Sequence, residues 1–459
     1  MKRYIYKSVE NMKDKTVFSM PGHKSKDVFD FDYKFDITEV MGVDNLLDPQ
    51  ACILDSEKEV AKIFGVKESF YMVNGSTGAL HIAIATATKP GDEILIQRNS
   101  HKSIYNALVI NDLKPHYINA NYNEKFNLFT GINTDELDKK LSENKNIKVV
   151  VLTSPNYFGI CLNLKEISKV IKKHNGILIV DEAHGSHINF TDKREYSAVN
   201  YADFIVHSTH KTMPSLTQSA ILHLNSDKFT REDVLKRINL LLTTSPSYLL
   251  TQSSEFGVDY MQKYGSDILK RNEEYIFDLK ESLKNKIDFF NGDDNDDSFS
   301  YYDPTKILFR IPSLSGFEIV KSLFLRYNIR LEMGDLYYGL ALSTICDEKS
   351  DFEKLKEALE DISKISSKEE IKINRINIIE PEIVYSPRDA FYMNSESVDL
   401  NMSQGRVSSS IIAAYPPGVP IVSFGERITK DIINEINIYL KSGIEVIGID
   451  RGRVEVILE

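Results

Sequence analysis

The stretch "ILIVDEAH" (Ile177–His184) decides how this chain folds. Four consecutive apolar residues, three of them β-branched, lead directly into a carboxylate. A strand with one wet face would alternate apolar and polar side chains; one that is apolar throughout is buried on both faces. That is the condition of a parallel sheet covered by helices on each side. The same signature recurs in "SFYMV" (Ser69–Val73), "ILIQ" (Ile94–Gln97), "VVVLTSP" (Val149–Pro155) and "FIVHS" (Phe204–Ser208), each run giving way to small, polar or charged residues. Helical patterns lie among these runs, including "SEKEVAKIFG" (Ser56–Gly65), with Asp55 or Ser56 as its expected cap and Gly65 as its stop, "ALHIAIATAT" (Ala79–Thr88) and "KEISKVIKKHNG" (Lys165–Gly176). The expectation is an α/β fold with a mainly parallel sheet in a large domain.

In such sheets ligands bind outside the carboxyl ends of the strands. The polar residues there, Asn74–Thr77, Asp181–His184 and Ser208–Lys211, are therefore expected to face one crevice. Beyond about Thr230 the pattern changes. Strand-like "KILFRIP" (Lys306–Pro312), helical "GFEIVKSLFLRYN" (Gly316–Asn328) and helical "FEKLKEALEDISKI" (Phe352–Ile365) indicate a smaller α+β unit ending near Ser367. The acidic run "NGDDNDDSFS" (Asn291–Ser300) reads as a solvated loop, and "YPPGVPIVSFGE" (Tyr415–Glu426) as a rigid loop. Four segments are expected: an N-terminal segment over 1–50, a large domain over 51–250, connecting helices and a small α+β domain over 251–370, and a C-terminal domain over 371–459.

Composition narrows the function classes. The chain has 459 residues, 42% hydrophobic and 27% charged, and a net charge of −11 from 56 Lys+Arg against 67 Asp+Glu. An acidic balance argues against a nucleic-acid partner, because phosphate binding needs a basic face. No run of about twenty apolar residues occurs, so no membrane span is expected. The start "MKRYIYKSVENMKDK" lacks the apolar region of a secretory signal. Cys52, Cys161 and Cys346 are far apart, odd in number and not spaced as zinc ligands. They read as thiols in a reducing cytoplasm.

Four constellations carry chemistry. "NGSTG" (Asn74–Gly78) joins a strand to a helix, where backbone N–H groups and hydroxyls can bind a phosphate, although small polar residues also serve ordinary turns. "RNSHKS" (Arg98–Ser103) puts His101 at the next such junction, where a lone histidine is more often structural. Asp181 ends a wholly apolar strand and needs a cation or hydrogen-bond donors to stay ionised, capping of the next loop being the plainer reading. Lys211 follows "HSTH" at another strand end; an amine held near a crevice has a lowered pKa and reacts with carbonyls, whereas its plain alternative is a surface charge. Taken together they supply the contacts of pyridoxal 5'-phosphate: a phosphate loop, an aromatic cover, a carboxylate for the pyridine nitrogen and a lysine for the aldehyde. Two rivals use the same letters. "VDEAH" resembles an ATPase strand motif, but the chain has no G-x-x-x-x-G-K-[ST] loop. His184, His187, His207 and His210 could be metal ligands, against which Gly185 and the strand-end setting argue; no metal is expected.

At these residues the sequence resembles the ornithine/lysine/arginine decarboxylase family, of the aspartate-aminotransferase-like pyridoxal phosphate fold type I, and within it the shorter bacterial members. The matching pieces run in order along most of the chain: "MPGHK", "DITEVMGVDNLLDP", "FYMVNGSTGAL", "PGDEILIQRNSHKS", "VVVLTSPNYFG", "VDEAHGSH", "HSTHK", "TSPSYLL", "SPRDAF" and "YPPGVP". The resemblance implies that Lys211, His101 and Asp181 are catalytic: Lys211 bonded to the cofactor aldehyde, Asp181 on the pyridine nitrogen, His101 stacked on the ring. It implies that Ser76, Thr77, Ser208 and His210 hold the phosphate, with His184 near the ring. Thr244, Ser245, Tyr248 and Glu332 are implied substrate residues, the first three from "TTSPSY" (Thr243–Tyr248), which would reach a neighbour's pocket in a homodimer or larger assembly. The implied reaction decarboxylates an amino acid, with arginine, lysine or ornithine first; transamination or a lyase step on the same scaffold, or a non-catalytic homologue, are the alternatives. Departures from the family pattern are Ser410 in "GRVSSS", where a glutamate suited to a distal amine or guanidinium is usual, and Phe424 in "FGE", where proline is usual. "DPQAC" (Asp48–Cys52) and "SSEF" (Ser253–Phe256) also depart from it.

Overall fold

A computed structural model describes residues 15–18, 22, 24, 26, 39, 44–292, 296–365, 380–415 and 418–458. Most of "MPGHK", much of "DITEVMGVDNLLDP", Pro416 and Pro417 of the "YPPGVP" loop, and the expected unit end near Ser367 lie outside the described residues.

The apolar runs form one seven-stranded sheet. Its strands are β1 (Glu68–Met72), β2 (Glu93–Gln97), β3 (Lys114–Ile118), β4 (Val149–Thr153), β5 (Ile177–Asp181), β6 (Phe204–His207) and β7 (Ala220–Leu224), in the spatial order β1-β7-β6-β5-β4-β2-β3. Six strands run one way. β7 opposes both its neighbours, pairing Val206 with Leu222 and Phe70 with Leu222 across its two edges. Helices cover both faces, which is why Ile94–Ile96, Val150–Leu152 and Phe204–Val206 are almost fully buried and needed no alternation. The register pairs Thr153 with Asp181 and Asp181 with Val206, so the carboxyl ends of β4, β5 and β6 lie level.

The helix preceding β1 runs over Cys52–Phe64 and ends on Gly65 at φ 73°, a left-handed conformation suited to glycine. Its start differs from the sequence expectation. Asp55 and Ser56 lie inside the helix, and the Asp44 carboxylate accepts from the backbone N–H of Ala51 at 2.7 Å, Ile53 at 3.0 Å and Leu54 at 3.3 Å. A carboxylate from an earlier turn thus satisfies the orphan donors that a local cap would otherwise take.

A second core gathers Phe18, Ile307, Phe309, Ile319, Leu323 and Leu355 around a four-stranded sheet that includes Lys306–Arg310 and Gly339–Leu342. The strand Thr16–Phe18 pairs in parallel with Ile329–Leu331, so the N-terminal segment contributes to this unit. The helix Tyr248–Tyr260 runs through the 250/251 division. A third core, including Ile412, Val422, Ile432 and Val456, lies in the C-terminal part. There the strands Ile412–Tyr415 and Val419–Val422 pair as a hairpin, so the segment read as a loop is largely strand on either side of its tip. Among the described residues no helix is long and apolar enough to cross a membrane.

One ion pair ties the C-terminal part to the sheet. Arg98, just beyond β2, donates to both carboxylate oxygens of Glu426 at 2.8 and 2.9 Å and to the Ile421 carbonyl at 3.0 Å, with its guanidinium 4.8 Å from the Tyr117 ring centre. Glu426 is fully buried. Removing one partner of such a pair strands the other charge in a dry interior, at about 3–5 kcal/mol. Arg98→Met is therefore expected to lower unfolding free energy in urea by that amount, and adding Glu426→Gln to restore part of it. A loss under about 1 kcal/mol would contradict the pair's role.

Candidate functional site

The level carboxyl ends of β4–β6 deliver three polar residues to one place. Lys211 sits in the short helix Thr209–Thr212 directly after β6, and its Nζ lies 2.9 Å from His184 Nε2, in the turn after β5. Burial pushes the Lys211 amine below its ordinary value, with Asp181 and then Glu332 opposing that shift. Burial likewise pushes His184 well down, reinforced by the Lys211 charge, so its imidazole is neutral and can accept a hydrogen bond from the amine. Asp181 is 4% exposed and accepts from Ala183 N at 3.1 Å. Burial raises its carboxyl, while Lys211 and the Ala183 bond work against that rise.

His101 caps the helix Lys102–Asn111: its Nδ1 lies 2.8 Å from Ser103 Oγ and accepts from Ser103 N at 3.2 Å. Burial, then the charges of Lys211 and Lys102, hold it down to about 4, so the ring is uncharged at neutral pH. A flat, neutral, partly buried ring suits stacking.

The anion-binding side is equally specific. The helix Gly75–Ala87 begins in the crevice with Gly75 at φ 73°; Ser76 is half-buried and Thr77 exposed in its first turn. Two buried polar atoms here, Ser208 Oγ and Asn74 Oδ1, have no hydrogen-bond partner among the described residues. Leaving a buried polar group unsatisfied costs about 1–3 kcal/mol, so the Ser208 hydroxyl, which can donate, is poised for an anion, whereas the Asn74 amide oxygen can only accept. A helix N-terminus with free hydroxyls is the donor set of a phosphate site. His210 is turned partly elsewhere, its Nδ1 lying 2.8 Å from the Ser219 carbonyl oxygen.

The four histidines do not converge. His207 Nε2 lies 2.7 Å from Glu182 Oε2, and its Nδ1 is 3.0 Å from His223 Nε2, which in turn reaches Ser69 through Nδ1 at 2.8 Å. This fully buried chain packs against Phe64 and explains the second acidic residue of "VDEAH" structurally. His187 pairs with Asp303 at 3.2 Å. Among the described residues no cluster of three metal-ligating side chains occurs.

Glu332 accepts from Tyr157 Oη at 2.5 Å, and the Tyr157 ring packs edge-on against His184 at 4.9 Å. Glu332 thereby joins the cluster through Tyr157, which the sequence reading did not single out. Thr244 and Ser245 are exposed, and Tyr248 donates to the Asp44 carbonyl; the structure hydrogen-bonds none of the three to the Lys211 cluster within one chain. Lys306 was also missed. It is 1% exposed, its Nζ has no hydrogen-bond partner among the described residues, and burial brings it down to about 8 beside Asp303, Glu332 and Lys211. Burial works against ionisation of Asp303, yet His187 and Lys306 hold it at about 2. A readable signal existed: "DPTKILF" places a lysine at the start of an apolar strand.

Comparison with known proteins bears on the family and the fold. The family described as Orn/Lys/Arg decarboxylase, major domain, matches residues 5–292, and the C-terminal domain of the same family matches 372–447. An arginine decarboxylase of Bacillus anthracis is 32% identical over 94% of this chain and 91% of its own, and one of Bacillus subtilis is 31% identical over 94% and 92%. Among solved structures, the E. coli constitutive lysine decarboxylase superposes with a TM-score of 0.80 at 20% identity, covering 93% of this chain and 75% of that one. The lysine decarboxylase of Francisella novicida gives 0.78 at 21%, covering 90% and 73%. At those identities the structures establish the shared fold.

Proposed function

We propose a reaction from one premise: this chain belongs to the Orn/Lys/Arg decarboxylase family and is an amino acid decarboxylase. The substrate we propose is arginine, supported by the arginine decarboxylases of about one-third identity that align with nearly the whole chain. The cofactor is pyridoxal 5'-phosphate, and the residues present fit it: unsatisfied Ser208 Oγ and the Gly75–Ala87 helix N-terminus for the phosphate, with Ser76, Thr77 and His210 beside them. When bound, this group supplies an aldehyde for an amine and a protonated pyridine that draws electrons from a bond at the substrate's α-carbon.

The chain's own residues do the rest. Lys211, whose amine burial holds below its ordinary value, would be the nucleophile toward the aldehyde. Asp181 would hold a proton on the pyridine nitrogen, and that positive charge would in turn favour the ionised form of the buried carboxylate. His101, a neutral plane, would cover the ring. Decarboxylation requires a proton for the α-carbon, and Lys211 Nζ, 2.9 Å from His184 Nε2, would supply it. His184 is buried and Lys211 half-buried, which limits the access of bulk water. The observation that carries this reading is the half-buried Lys211 amine in contact with His184 and within electrostatic reach of Asp181 at the strand ends.

The assembly we propose is a homodimer or larger, in which the exposed Thr244 and Ser245 complete a neighbour's pocket, acting in the cytoplasm. The test is a product screen. Purified protein with pyridoxal phosphate is given arginine, lysine and ornithine, and the amines are read by mass spectrometry. Agmatine in excess of cadaverine and putrescine is expected; the reverse order would overturn arginine as the substrate.

A further inference from the structure

A cavity of about 200 Å³ opens beside the Lys211 cluster. Tyr157 is its shared wall: the ring lines the cavity and also packs 4.9 Å from His184, which contacts Lys211. The next turn of chain after Glu332, the hydrogen-bond partner of Tyr157, supplies Met333 and Asp335 to the lining. Much of the wall is apolar, with Leu128, Phe129, Phe158, Ile421 and Ile444 among its residues. That volume suits a single side chain rather than a nucleotide-sized ligand.

Apart from Arg98, the charged side chains of its lining are acidic, set among amides and tyrosines. Asp335 and Glu435 bring carboxylates, from the segment after Glu332 and from the helix Lys430–Lys441. Asn127, 5% exposed, brings an Oδ1 that has no hydrogen-bond partner among the described residues. Arg98 also lines the cavity, but its guanidinium is already matched by both oxygens of Glu426. The net demand of the lining is thus for a cation with several donors on an aliphatic stem. Burial pushes Glu435 up to about 7, against the Tyr439 hydrogen bond and the Arg98 charge, and Asp335 up to about 6, against the Tyr338 and Tyr337 N–H groups. Ser410, where the family resemblance implies a carboxylate for the substrate's far end, is not part of this lining.

We propose that this cavity receives the distal cation of the substrate, with Glu435 and Asp335 as its counter-charges and Asn127 Oδ1 as a further acceptor. The assignment rests on the decarboxylase reading and supplies the specificity determinant that Ser410 lacks. A guanidinium, with five donors in a planar fork, matches three acceptors on different walls better than an ammonium does.

The probe is agmatine, which keeps the guanidinium and lacks the α-carboxylate, titrated calorimetrically into cofactor-loaded protein. Asp335→Asn and Glu435→Gln keep size and a hydrogen-bonding oxygen while removing charge. After the first change, the remaining amide oxygen can still accept the Tyr337 and Tyr338 N–H groups that Asp335 now accepts. Each single variant is expected to weaken agmatine binding about 10-fold and the double about 100-fold. Arginine turnover should fall mainly through KM, with the visible absorption of the bound cofactor unchanged. Glu435→Gln alone, at a half-buried helix position, decides the matter if the double variant does not fold. Unchanged agmatine affinity in the variants, or none in the parent, would overturn the cavity assignment while agmatine production could still uphold the decarboxylase. Charge-dependent agmatine binding without amine production from arginine would uphold the cavity and sink the proposed substrate reaction.

Discussion

Lys211→Ala is expected to lower amine production by about 10⁴-fold or more, because it removes the nucleophile toward the cofactor aldehyde and one holder of the α-carbon proton together. The fold should survive the change. The turn carrying Lys211 is held by the Ser186–Thr212 hydroxyl pair at 2.7 Å and by Ser215 Oγ donating to Thr209 at 2.8 Å, contacts that do not involve the lysine. Deleting a half-buried amine also removes a desolvation cost, so thermal stability without cofactor should hold or rise. Borohydride treatment of cofactor-loaded parent protein should add cofactor mass to the Lys211 peptide, and none should be added there in the variant. Activity within about 10-fold of the parent would exclude Lys211 from the reaction, since general acid–base assistance alone contributes about 10²-fold or more.

Asp181→Asn isolates the other half of the chemistry. Asparagine has the same shape and its oxygen still accepts from Ala183 N, so only the charge is lost. A neutral amide does not hold a proton on a pyridine nitrogen, and the electron demand at the α-carbon weakens. The expected loss is about 10²–10³-fold in kcat with KM little changed, the scale of removing one preorganised electrostatic partner. Asp181 suits this role because its site is almost closed to water, at 4% exposure, where a single charge acts most strongly. Initial rates over a range of arginine concentrations separate kcat from KM; a loss below about 3-fold in kcat would place Asp181 in loop capping alone.

Much of this was legible in the residues, for identifiable reasons. "ILIVDEAH" and its companions could be read as buried parallel strands because helices on both faces make alternation unnecessary, and the residues after β5 and β6 then had to lie together. His184 and Lys211 do, at 2.9 Å. The reversed direction of β7 was not legible, because an apolar run such as "AILHL" carries no mark of its orientation. Nor was the Asp44 cap, since a carboxylate seven to ten residues before the donors it satisfies has no local spacing rule. The Glu182–His207–His223 chain joins the ends of three strands and became visible only when the sheet order was known. The acidic cavity is assembled from segments near 98, 127, 157, 335 and 435, and no motif spans such distances. Ser410 drew attention in the sequence because a charge was missing there; the structure offers charge on a different wall.

The central claim is that the bond broken is the one to the α-carboxylate. Its direct measurement uses arginine labelled with ¹³C at that carboxyl, incubated with the cofactor-loaded protein, with gas and solution products quantified together. The account predicts labelled CO₂ and unlabelled agmatine in equal amounts. A 2-oxo acid retaining the label, with the amino group transferred elsewhere, would contradict it and move the chemistry of this site to transamination.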